Sequence, residues 1–122
     1  MSLLNQRLEL AGSVEVTEQG ETFRLTDIVV IPNEIFFNVM LPDGSSPDDE
    51  WWHPPIHRIE IDLINYDGTE SAFLWSGGSG GMWTERDDGV WVRETSIIGV
   101  GSVIDLDNLA AIRFNGVTLE VQ

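Results

Sequence analysis

"AIRFNGVTLE", residues 111–120, places Asn-Gly between two short alternating runs. Asn and Gly both tolerate positive φ, so the pair suits a two-residue type I′ hairpin loop, which in turn fixes which residues face each other. Phe114 then pairs with Val117 and Ile112 with Leu119 on one face, while Arg113 and Thr118 share the other. The pairs agree in polarity, as a half-buried antiparallel ribbon requires.

The same test applied to "RIEIDLINYDGTESAFLW", residues 58–75, takes Asp67-Gly68 as a two-residue loop. Leu63 then opposes Ala72 and Ile61 opposes Leu74, giving a core face. The opposite face carries Ile64, Tyr66, Phe73 and Trp75 beside Glu60 and Asp62. So aromatic an outer face is either covered by another segment or exposed as a binding platform.

Period-two alternation extends over nearly all of the chain, and the helical period is almost absent. Val14 and Val16 lead to Gln19-Gly20; Phe23 and Leu25 open a strand that becomes continuously apolar at "IVVI", residues 28–31, before Pro32 removes a ladder donor. Ile35, Phe37, Val39 and Leu41 then alternate with Phe36, Asn38 and Met40. Turn signals at Gln19-Gly20, Asp43-Gly44, Asp67-Gly68, Asp88-Gly89 and Asn115-Gly116 recur every 21 to 27 residues or so, two strands with their connections. The expectation is an all-β sandwich or barrel of about seven to nine strands. Only "DLDNLAAI", residues 105–112, hints at helix, with Asp105 or Asp107 as N-cap and at most one turn.

At 122 residues, 42% of them hydrophobic, the chain suits a single domain spanning residues 1–122, with Met1 to Leu3 read as a cloning leader. Twenty-one acidic residues against six basic ones, all arginine, give a net charge of −15. Such a field repels phosphate backbones and anionic lipid, which disfavours nucleic-acid binding and membrane docking. Cationic partners, divalent cations and neutral ligands stay open, as does acidity serving solubility alone. There is no cysteine for a disulfide framework or thiolate chemistry, and no apolar run long enough to cross a bilayer.

The densest cluster is "DDEWWHPPIH", residues 48–57. His53 and His57 would converge on one metal only from a helix, and Pro54 and Pro55 forbid one; in polyproline II geometry the imidazoles lie about 12 Å apart. Calcium suits the oxygen-rich runs Asp43, Asp48, Asp49, Glu50 and Glu85, Asp87, Asp88 better, so weak calcium binding is weighed against a plain solvated loop. "SGGSGGMW", residues 76–83, has no following lysine and reads as a flexible loop rather than a phosphate cradle. With no cysteine nucleophile and no Gly-x-Ser-x-Gly elbow, the expectation is a non-enzyme with no cofactor. Five tryptophans remain as candidate stacking groups or core plugs. The candidate contact residues are Trp51, Trp52, His53, Trp83, Phe73 and Trp75.

"GETFRLTDIVVIPNEIFFNV", residues 20–39, and "IDLDNLAAIRFNGVTLEV", residues 104–121, resemble the strand–proline step–strand and the closing segment of extracytoplasmic immunoglobulin-like β-sandwich domains in bacterial membrane-anchored anti-sigma-factor-type proteins. "DDEWWHPPIH" and "SGGSGGMW" match no element of that pattern. The resemblance implies an immunoglobulin-like sandwich and a noncatalytic binding or sensing module outside the cytoplasm. It carries no functional residue across. The alternatives are a carbohydrate-binding module that uses loop tryptophans, and a structural or oligomerising domain.

Overall fold

The computed structural model describes residues 7–18, 20–47, 59–101 and 103–122. Among these the chain is all β: β1 (Leu8–Glu9), β2 (Val14–Glu18), β3 (Glu21–Ile31), β4 (Glu34–Met40), β5 (Ile61–Asn65), β6 (Glu70–Ala72), β7 (Trp75–Gly80), β8 (Thr84–Glu85), β9 (Trp91–Gly99), β10 (Leu109–Phe114) and β11 (Val117–Glu120). All pairings are antiparallel. The larger sheet runs β1-β3-β4-β9-β7, with β2 also on β3 and β8 also on β9; the smaller runs β11-β10-β5-β6. Strands β1 and β2 share one edge of β3, and β7 and β8 share one edge of β9. These broken edge strands account for the eleven segments found where seven to nine were expected.

The two antiparallel sheets bear out the expected all-β sandwich. Immunoglobulin-like connectivity is not established by this order, since β2, β3 and β4 are neighbours in one sheet whereas an immunoglobulin domain sends its second and third strands to opposite sheets. No helix among the described residues is long and apolar enough to cross a membrane. The Asp105 segment makes a single turn: Asn108 N donates to Asp105 O at 3.1 Å, and Asp107 N to Asp105 Oδ1 at 3.2 Å.

The sheets are stitched at both edges. At one edge, Leu10 N donates to Ile28 O in the larger sheet at 3.0 Å, and Ala11 N donates to Glu120 O in the smaller at 2.8 Å. At the other, Phe73 N donates to Ile61 O while Leu74 O accepts from Val100 N, both at 2.8 Å, so the chain changes sheets between adjacent residues. Phe23, Leu25, Ile35, Phe37, Val39 and Ile97 meet Ile61, Leu63, Ile112, Phe114 and Leu119 in the enclosed core.

Turn chemistry decides the registers. Asn115 (φ 48°) and Gly116 (φ 88°) form the expected type I′ loop, with Phe114 opposite Val117 and Ile112 opposite Leu119. Asp67-Gly68 behaves differently. Asn65 N donates to Thr69 O at 2.9 Å and Gly68 N to Asn65 O at 3.1 Å, which closes a three-residue loop with Gly68 at φ 88°. Asp67 Oδ1 accepts from Thr69 N at 2.9 Å and from Thr69 Oγ1 at 2.6 Å, favouring this turn over type I′. The Arg86–Val90 turn repeats the pattern, with Asp88 Oδ1 accepting from Val90 N at 3.0 Å.

The extra loop residue corrects the expected register by one. Leu63 faces Ser71 and Asp62 faces Ala72. A slip of one exchanges the faces of the second strand. Phe73 is therefore core, 3% exposed, and Leu74 stands outside at 61%. Trp75, expected on the outer face, instead packs half-buried against the core.

A second correction concerns residues 76–80, expected as loop. They form the edge strand β7 on β9, with a register shift between Ser76 and Gly78. Pairing on an edge needs backbone groups rather than bulky side chains, and β9 supplies them.

This register makes a sharp prediction. In urea unfolding, Phe73→Ala should cost about 3–5 kcal/mol and Leu74→Ala stay within about 0.5 kcal/mol of the parent; a two-residue loop would reverse the order. The Asp67 turn adds a pH signature. Its hydrogen bonds, from the Thr69 side chain, the Thr69 backbone N–H and the Asn108 side chain, hold the Asp67 carboxyl below its ordinary pKa. A depressed folded pKa gives stability that is present above the unfolded value of about 3.9 and lost as pH falls through the folded value. The Tm deficit of Asp67→Ala, measured by thermal scans from pH 7 downward, should therefore shrink below about pH 4.

Candidate functional site

The outer face of the larger sheet carries the candidate site, and a β-bulge builds it. Strand β3 buries Phe23 and Leu25, then Ile28 and Val30, so the inward positions change from odd to even between them. Asp27 is the inserted residue: the β3–β4 register shifts between Thr26 and Val29, and Asp27 sits at φ 52°. Aspartate visits this left-handed region more readily than most residues. Its exposed carboxylate turns toward β4: Oδ2 accepts from Asn38 Nδ2 of that strand at 3.1 Å and from Oγ1 of the adjacent β3 residue Thr26 at 3.1 Å.

From Asp27 the surface runs across β4 to β9. Asn38 is paired with Glu94, and Phe36, the next outward residue of β4, with Ser96. Together with Gly80 and Gly81 these residues line an open, shallow groove of about 390 Å³. Phe36 is 38% exposed there, an aromatic surface beside two carboxylates.

Beneath the groove Arg93 points inward, on the same face as Thr95 and Ile97, and is 6% exposed. Its Nε donates to Gly81 O at 2.8 Å. Burial pulls the guanidinium pKa below the ordinary arginine value. The contact explains Gly80: a Cβ there would come within 2.6 Å of Glu94 O and 2.8 Å of Arg93 Cζ. Arg93 thereby supports the groove wall from the core side.

Charge separates this groove from two others. One, of about 250 Å³, is lined by Glu15, Arg24, Pro42 and Val90, and its Glu15 is paired with Arg24 at 3.0 Å. Another, of about 270 Å³, also reaches Asp27 and includes Glu9, which pairs with Arg7 at 3.3 Å. Arg86 is held by Asp88 and Arg113 by Glu70, each at 2.8 Å. Among the described residues no arginine pairs with Asp27 or Glu94.

The residues singled out from the sequence fall elsewhere. Trp51, Trp52 and His53 lie outside the described residues. Phe73 and Trp83, 3% and 4% exposed, are core, and Trp75 packs against it, so these three carry structure rather than an open platform. Among the described residues no group of three or more His, Cys, Asp or Glu side chains is placed to hold a metal ion. Asp27, Phe36, Asn38 and Glu94 were missed, although a signal exists: the run Leu25-Thr26-Asp27-Ile28 breaks the alternation at a residue suited to positive φ.

No family model matches the chain, and neither a curated protein nor a solved structure matches it.

The wall contact predicts a contrast between adjacent glycines. Gly80→Ala should lower stability by about 1–3 kcal/mol, as overpacking does. Gly81→Ala, with nothing within 4 Å of the added methyl, should unfold near the parent's midpoint in the same urea titration. Equal midpoints for the two variants would contradict the Arg93 contact.

Proposed function

We propose that the protein is a noncatalytic binding module that takes its ligand on the outer face of the larger sheet. The observation that carries this reading is the groove in which Asn38 lies between Asp27 and Glu94, with exposed Phe36 in the next outward row and no compensating arginine among the described residues. An aromatic surface supplies apolar contact area, and nearby polar groups fix orientation. An open sheet face keeps its groups hydrated, which suits recognition better than chemistry that depends on excluding water. The role in sensing or contact at the bacterial envelope, implied by the resemblance to anti-sigma-factor-type domains, is the setting this reading adopts.

The test is a map of amide chemical-shift changes with a small panel: an alkylguanidinium, an alkylammonium, calcium chloride and neutral oligosaccharides. Saturable changes should centre on Phe36, Asn38, Gly81 and Glu94. Changes centred on the Glu15–Val90 groove, or none with any probe, would overturn the placement. A glycan response confined to residues near the tryptophans would favour the carbohydrate-binding alternative.

A further inference from the structure

We infer that the occupant of this groove is an arginine side chain presented by an extended basic segment of a partner protein. The inference rests on the groove being the contact surface and adds the chemistry of what fills it.

Three observations converge. The Asp27 hydrogen bonds both fall on Oδ2, which leaves Oδ1 without a partner among the described residues, and the exposed Glu94 carboxylate has no ion pair there. Four of the five described arginines are engaged with acids elsewhere, and the fifth, Arg93, is buried on the opposite face of the sheet. In a protein of net charge −15, positive charge for this groove must come from outside the described surface.

The aromatic ring decides which cation fits. Phe36 and Glu94 occupy adjacent outward rows of paired strands, diagonal neighbours with backbones about 7–8 Å apart. That leaves room for a flat group to lie on the ring and fork its N–H donors onto the carboxylate. A guanidinium does both at once; a lysine ammonium is a more strongly hydrated point charge without the flat face. A hard divalent ion requires six or more oxygens, and Phe36 occupies part of the lining. A neutral sugar would leave Glu94 uncompensated, while nucleic acid would be repelled.

A linear segment rather than a folded knob suits the shape, because the groove is shallow and lies on strands whose outward residues stand in regular rows. Such a segment would cross Gly80 and Gly81, where no side chain rises to block it.

The probe is a blocked, glycine-spaced peptide with two arginines, titrated into the labelled protein at low salt, alongside the same peptide with citrulline or lysine replacing arginine. The arginine peptide should shift the amides of Phe36, Asn38, Gly81 and Glu94 saturably, the lysine peptide should bind several-fold more weakly, and the citrulline peptide should not saturate. Glu94→Gln and Phe36→Leu should each weaken the arginine peptide about five-fold or more, and raising salt should weaken it further. Phe36→Leu keeps an apolar group of similar size, so a folded variant reports on the ring itself. Equal binding of citrulline and arginine peptides, or unchanged affinity in Glu94→Gln, would overturn the inference. Groove shifts with oligosaccharide but not with arginine peptide would overturn it and leave the binding-module reading standing; an unresponsive groove with every probe would overturn both.

Discussion

The carboxylate of Asp67, accepting the Thr69 N–H at 2.9 Å, sets the register on which much of the architecture depends. It favours a three-residue turn with Gly68 left-handed, and that turn brings Phe73 opposite Ile61 and into the core. From Phe73 the chain can leave β5 and join β9 at the next residue, closing one side of the sandwich. The same passage delivers β7 to the edge of β9 and brings Gly80 and Gly81 over Arg93. A loop shorter by one residue at Asp67-Gly68 would put Leu74 inside and Phe73 outside, losing both the packing and the crossing.

The second constraint is the Asp27 bulge. An uninterrupted β3 could not bury both Phe23 with Leu25 and Ile28 with Val30 on one face, since the two pairs differ in parity. The inserted residue resolves that conflict at the cost of a positive φ, and its side chain faces the groove. The groove is thus a by-product of core packing on β3, widened at Gly80 and Gly81 and carrying Phe36 as its apolar contact. Its charge stands out because, among the described residues, the exposed arginines are held by acids elsewhere: Arg7 by Glu9, Arg24 by Glu15 and Arg86 by Asp88.

Much of the fold is legible in the alternation of side chains. The Asn115-Gly116 hairpin could be read to the residue because both of its central positions accept positive φ, which leaves little choice of loop. Asp67-Gly68 could not, since aspartate serves both two-residue and three-residue turns, and the choice depends on Thr69 and on Asn108, which lies 41 residues away. Residues 76–80 read as loop because glycine and serine carry no strand pattern, although an edge position supplied the pairing. The site was less legible. Tryptophans attract attention, yet Trp83 is buried in the core, whereas the aromatic that lines the groove is Phe36, ordinary in an alternating strand. Asp27 was visible only as a break in period.

Asp67 sets the β5–β6 register, and cross-strand nuclear Overhauser effects between α-protons measure that register directly. Non-hydrogen-bonded antiparallel pairs bring the two α-carbons to about 4.5 Å, so each register has its own set of close contacts. The account predicts α-proton contacts between Ile64 and Glu70 and between Asp62 and Ala72. Contacts between Leu63 and Ala72 and between Ile61 and Leu74 in their place would contradict it.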